Sequence, residues 1–71
     1  MRTQNERILK HLQTHKRGIT PMQALNKFGC MRLASRISEL RRMGYVISRE
    51  MIAVKDRDGD VRYVANYKLM E

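Results

Sequence analysis

The chain has 71 residues, 42% of them hydrophobic, with 15 Lys and Arg against 7 Asp and Glu for a formal net charge of +8. A chain of this length makes one small domain that hides only about 60% of the surface its unfolded form exposes, with hardly any room for a deep active-site pocket. Its one cysteine, Cys30, excludes an internal disulfide and a cysteine-built zinc centre within one chain, and the absence of a long apolar run excludes a spanning helix.

"TQNERILKHLQTHKRG" opens with Thr3 and Glu6, the capping-box spacing that satisfies free N–H groups at a helix start. Ile8, Leu9 and Leu12 form one apolar stripe and Gly18 stops the run, predicting a helix over about 4–16. His11 and His15 stand one turn apart, a spacing that can hold a metal. No third ligand accompanies them and no base lies between them as in H-E-x-x-H, so they read as surface histidines. In "GITPMQALNKFG", Thr20 is an N-cap and Pro21 takes the first helical position, where its missing N–H costs nothing. Met22, Leu25 and Phe28, with Ala24 beside them, form the apolar face of a second helix over about 21–28, which Gly29 ends.

Gly29, Cys30 and Met31 make a tight turn into a third helix over about 31–43, the helix-turn-helix spacing. Cys30 reads as the filler of a small half-buried space rather than a reactive thiol. The segment "MRLASRISELRRMG" combines four arginines with an apolar stripe. Leu33, Ala34, Ile37, Leu40 and the stem of Arg41 are expected toward the core, with Arg32, Ser35, Arg36 and Arg42 outward and Gly44 as terminator. Arg41 stands at the border of the two faces, where it could hold a carboxylate within the fold.

From Tyr45 the pattern turns to strand: "YVISREMIAV" and "VRYVANYKLM" flank "DRDGD", a hairpin signal in which Gly59 takes a positive φ. A two-residue loop would set Ile47 opposite Met70. A three-residue loop with a Gly59 bulge sets Ile47 opposite Leu69, Met51 opposite Ala65 and Ala53 opposite Tyr63, and gathers these six on one face; that register is the expectation. Asp56, Asp58 and Asp60 share the first spacings of a calcium loop, but Gly59 falls at the fourth position and Tyr67 at the twelfth, which favours a turn. Tyr45, Tyr63 and Tyr67 read as strand packing, and Met22, Met43 and Met51 as core filling.

The residues "ITPMQALNKFGCMRLASRISELRRMGYVI" resemble the small winged helix-turn-helix domains of phages and prophages, with a Thr-Pro opening of the second helix, an Arg-Ile pair, a Glu-Leu-Arg run and a helix-ending Gly. The resemblance covers nearly the whole chain and implies an α+β fold, three helices followed by a two-stranded hairpin wing, as a single domain over residues 1–71. It implies that the third helix enters the major groove of double-stranded DNA with Met31, Arg32, Ser35 and Arg36 near base edges. Glu39 could then accept from cytosine, or orient Arg36 or Arg42 by a salt bridge. Lys55, Arg57 and Arg62 on the wing would meet phosphates, diluted by the three aspartates, and Lys16, Arg17 and Lys27 would either do the same or stabilise helix C-termini.

The basic balance, with an isoelectric point near 10.4, agrees with a nucleic-acid partner. The plainer reading of Arg32 and Arg36 is a solvated helix face. One such module buries only about 600–1,000 Å² on DNA, so a homodimer is a further expectation. The rival reading is a protein-interaction module, a phage-type inhibitor whose basic face meets an acidic host protein. No nucleophile–base pair, carboxylate dyad or metal cluster suggests an enzyme, and no cofactor is expected. Without a signal peptide or spanning segment the expected place is cytoplasmic, with no membrane partner. A Met start and a complete last strand suggest a whole small protein.

Overall fold

The first helix begins where Thr3 Oγ1 accepts the Glu6 N–H at 3.2 Å. In the structure, a computed structural model describing residues 3–70, three helices precede two strands: α1 (Gln4–Thr14), α2 (Pro21–Phe28), α3 (Leu33–Arg42), β1 (Val46–Lys55) and β2 (Val61–Met70). This is the winged architecture expected.

α1 ends two residues before the pattern suggests. The Thr14 hydroxyl donates to the Lys10 carbonyl at 2.9 Å, and His15 already has extended backbone. α2 carries the complete capping box: Thr20 Oγ1 accepts the Gln23 N–H at 3.3 Å, and Gln23 Oε1 accepts the Thr20 N–H at 3.1 Å. Such a cap is worth about 1 kcal/mol. α3 starts later than expected, because Arg32 is its N-cap and, having no short side-chain oxygen, makes no capping bond. Arg32 and Arg36 are therefore not two positions of one regular helix.

The hairpin has the expected register, with Ile47 opposite Leu69, Met51 opposite Ala65 and Ala53 opposite Tyr63. Asp56 N–H donates to the Asp60 carbonyl at 2.9 Å and Gly59 N–H to the Asp56 carbonyl at 3.1 Å, leaving a three-residue loop with Gly59 at φ 83°. Asp56 Oδ1 accepts both the Asp58 and the Asp60 N–H at 3.0 Å, so this aspartate is committed to the turn.

One pairing has no strand-like run to announce it. Ile19 exchanges two backbone bonds of 2.9 Å with Tyr67, which places β2 between Ile19 and β1. The core gathers Ile8, Leu12, Ile19, Ala24, Cys30, Leu33, Ile37, Leu40, Ile47 and Tyr67, with Phe28, Ala65 and Leu69 packed against it.

Several burial expectations are corrected. Met22, Met43 and Met51 are exposed at 64%, 65% and 52% rather than filling the core, and Leu25 is exposed too. The short α2 meets the core through Ala24 and Phe28 alone, and the hairpin runs past the helices, so the distal part of its expected inner face, Met51, Ala53 and Tyr63, lies in solvent. Ala34 and Arg41 are exposed on one flank of α3. His11 is buried rather than at the surface, with Nε2 3.3 Å from the Gly18 carbonyl.

Candidate nucleic-acid interface

Successive helical residues lie about 100° apart, so burial of Leu33, Ile37 and Leu40 defines the inner side of α3 and turns Ser35, Ser38 and Arg42 to the opposite side. Arg36 and Glu39 fall on the flank beside α1, and Ala34 and Arg41 on the flank beside β1. Contacts fix both flanks. Asn5 Nδ2 donates to Glu39 Oε2 at 2.5 Å, while Arg36 Nη2 lies 3.3 Å from Glu39 Oε1. Glu39 thus orients Arg36, one of the two roles read for it, and its carboxylate is engaged on both oxygens. Arg41 holds no carboxylate; its Nε and Nη2 donate to the Ile47 carbonyl at 3.2 and 2.8 Å, tying the end of α3 to the start of β1.

Met31 and Arg32 stand exposed ahead of the helix, and Ser35 is half-buried. Arg32 and Arg42 make no ion pair among the described residues. On the hairpin, Arg62 Nε lies 3.0 Å from Asp56 Oδ2, whereas Lys55 and Arg57 are exposed and unpaired among the described residues. Of the candidate residues, Arg32, Arg42, Lys55 and Arg57 therefore present open charge. Arg36 and Arg62 present charge already shared with a carboxylate. Elsewhere on the hairpin, the Lys68 ammonium 2.9 Å from Glu50, followed by the Asn66 amide, holds the Glu50 carboxyl below its ordinary range.

Two features escaped the sequence reading. A groove of about 500 Å³ runs between the start of α2 and the hairpin, lined by Pro21, Met22, Val54, Lys55, Arg62 and Val64. Only the exposed Met22 and Val54 could have signalled it, and neither has a pattern that distinguishes it from core. The second is the environment of His11, whose ring stacks on His15 with centroids 4.1 Å apart and planes 6° apart. The i,i+4 spacing was the available signal, read there as a metal question.

Burial, and then the neighbouring His15, lower the His11 pKa from its ordinary 6.5, against the Gly18 carbonyl, which raises it. Folded His11 binds a proton less readily than unfolded His11. Its neutral form is accommodated fully above pH 6.5, and stability is lost as the pH falls below that value. Thermal unfolding between pH 8 and 5 is expected to show this loss, and His11→Gln to flatten it; an equal slope in the variant would assign the loss to other groups.

A family model described as a winged helix-turn-helix domain matches residues 3–71. No curated protein and no solved structure gives a significant match.

Proposed function

The chain belongs to the winged helix-turn-helix domain family, and from that premise we propose that it binds double-stranded DNA, with α3 in the major groove and the β1–β2 hairpin as a wing along the backbone. The carrying observation is the division of α3: Leu33, Ile37 and Leu40 pin one side, while Arg42 on the other side and Arg32 at the exposed start carry charge that no protein carboxylate neutralises. Arginine can bond guanine through two donors, worth about 1–3 kcal/mol of discrimination per contact. Lys55 and Arg57 supply backbone anchoring, and Met31 and Ser35 the remaining contacts near the helix start.

The fold is typically non-enzymatic, and we read residues 1–71 as one cytoplasmic domain that needs no cofactor. No helix among the described residues is long and apolar enough to cross a membrane. In this reading the protein regulates transcription or recombination, in the manner of a phage or prophage factor, and gains selectivity as a homodimer on a two-fold site.

Fluorescence anisotropy with random-sequence and genomic duplexes across a salt series tests this. Each neutralised phosphate contributes about −0.9 to the log–log slope, so Lys55→Ala/Arg57→Ala is expected to flatten the slope by roughly 2, whereas Arg32→Ala/Arg42→Ala is expected to weaken binding about tenfold or more and to relax the preference among sequences. Absence of binding at moderate salt, or a variant equal to wild type, would sink the proposal.

A second reading, a module for an acidic protein partner, draws support from Met22, Met31 and Met43, whose exposure gives the helical surface adaptable apolar contacts. Arg32→Ala separates the two: a DNA reader loses sequence preference, and a protein binder loses its partner while residual DNA affinity barely changes.

A further inference from the structure

On the seam between α1 and α2 lies a basic cleft of about 330 Å³ that the groove-reading face does not use. Arg7, Lys10 and His11 line it from α1, His15 from the cap just past that helix, and Lys27 and Phe28 from α2. Phe28 stands edge-on to His11, with centroids 5.8 Å apart and planes at 83°, and so builds the apolar floor. Two imidazole nitrogens are occupied: His11 Nε2 by the Gly18 carbonyl, and His15 Nδ1 by the His11 carbonyl and the Thr14 hydroxyl. His11 Nδ1 and His15 Nε2 have no partner among the described residues.

The charge distribution makes this cleft unusual. The carboxylates of Glu39, Glu50 and Asp56 are spent on Arg36, Lys68 and Arg62. No carboxylate lines the cleft, and Arg7, Lys10 and Lys27 make no ion pair among the described residues. Three permanent cations ring one concavity with no carboxylate among them, and a bound anion would be attracted by all three.

We propose that the α1–α2 cleft binds a phosphate group. Lys10 and Lys27 approach it from the two helices, Arg7 supplies a planar pair of donors, and the imidazoles donate once protonated. The charged and titratable groups facing His11 are Arg7 and Lys10 on α1, His15 just past its end and Lys27 on α2; the Gly18 carbonyl faces it from the connecting loop, and no residue of β2 lines the cleft. A phosphate there favours the imidazolium form, so phosphate binding and histidine protonation reinforce each other. The site stands on the cleft alone and does not require α3 to read a groove.

The test is a titration with sodium phosphate at constant ionic strength, followed through the imidazole proton resonances of His11 and His15 at pH 6.0 and 7.5. Saturable shifts with half-saturation at roughly 1–10 mM are expected, together with a rise in the His11 pKa. Lys10→Ala/Lys27→Ala, both exposed positions, is expected to keep the melting temperature and weaken binding on the order of tenfold. Shifts that do not saturate, or that are the same in the variant, would overturn the site.

Anisotropy with duplex DNA then identifies the source of the phosphate. A salt slope flattened by about 2 in the lysine variant assigns the cleft to a nucleic-acid backbone, and an unchanged slope beside an intact phosphate titration assigns it to a free phosphate ligand. Because Arg32→Ala/Arg42→Ala leaves the cleft untouched, failure of groove reading and failure of the cleft are separate results.

Discussion

Gly18→Ala is expected to destabilise the protein by about 3 kcal/mol, lowering the melting temperature by roughly 12–24 °C. Gly18 sits at φ 91°, where an L side chain is strained by about 1–2 kcal/mol. A Cβ there would also run into the Tyr67 carbonyl, the oxygen that accepts the Ile19 N–H at 2.9 Å. Relief requires the chain to move away from β2, which loosens the Ile19–Tyr67 bonds at about 0.5–1.5 kcal/mol each. Gly44→Ala is the matched control, since Gly44 has φ 104° but an added Cβ meets nothing within 4 Å. Thermal unfolding of both variants separates strain from collision; an equal drop in the two would dismiss the Tyr67 contact as the cause.

Ile37→Ala is expected to cost about 2–5 kcal/mol, a large share of the total for so small a domain. Ile37 is 1% exposed and is the middle of the three residues that seat α3. The loss should reach DNA binding through the folded population: weak binding at 37 °C, recovering on cooling to about 10 °C if the residual fold is still populated. Arg32→Ala/Arg42→Ala should do the reverse, keeping the melting temperature and losing affinity at both temperatures. Ile37→Val, which removes one methyl group, should cost only about 0.5–1.5 kcal/mol. Urea unfolding of each variant gives the measurement, and an Ile37→Ala midpoint equal to wild type would show that the inner side of α3 does not bear its stability.

Local chemistry was readable wherever neighbours in sequence decide it. Thr3, Thr20 and Pro21 mark helix starts because a cap acts within one turn. Gly59 sets the hairpin register because loop length and strand pairing are one constraint. What remained hidden depends on partners distant in sequence. A single residue, Ile19, pairs with Tyr67 and carries no alternating pattern. The methionines satisfy an apolar periodicity, yet α2 is too short and the hairpin too long for that periodicity to end in burial. Within the candidate interface, the arginines of α3 were legible as a set. Their division into open charge on Arg32 and Arg42, charge shared with Glu39 on Arg36, and a backbone tie on Arg41 required Asn5 and Ile47 to be in place. The basic cleft shows the same limit, since Arg7, Lys10 and His11 recur on one side of α1, with His15 just past its end, but form a cleft only when α2 brings Lys27 and Phe28.

The position of β2 between Ile19 and β1 bears on how the chain folds as it is made. A ribosome releases the three helices first, then β1, and only afterwards the strand that both sheet neighbours require. Until Tyr67 emerges, Ile19 has no pairing partner, β1 is an open edge, and the apolar residues of α1 and α2 lack the cover that β2 gives them. β2, made after the four elements that precede it, thus closes the structure, so the nascent helices pass through a period in which their apolar sides are available to chaperones or to one another.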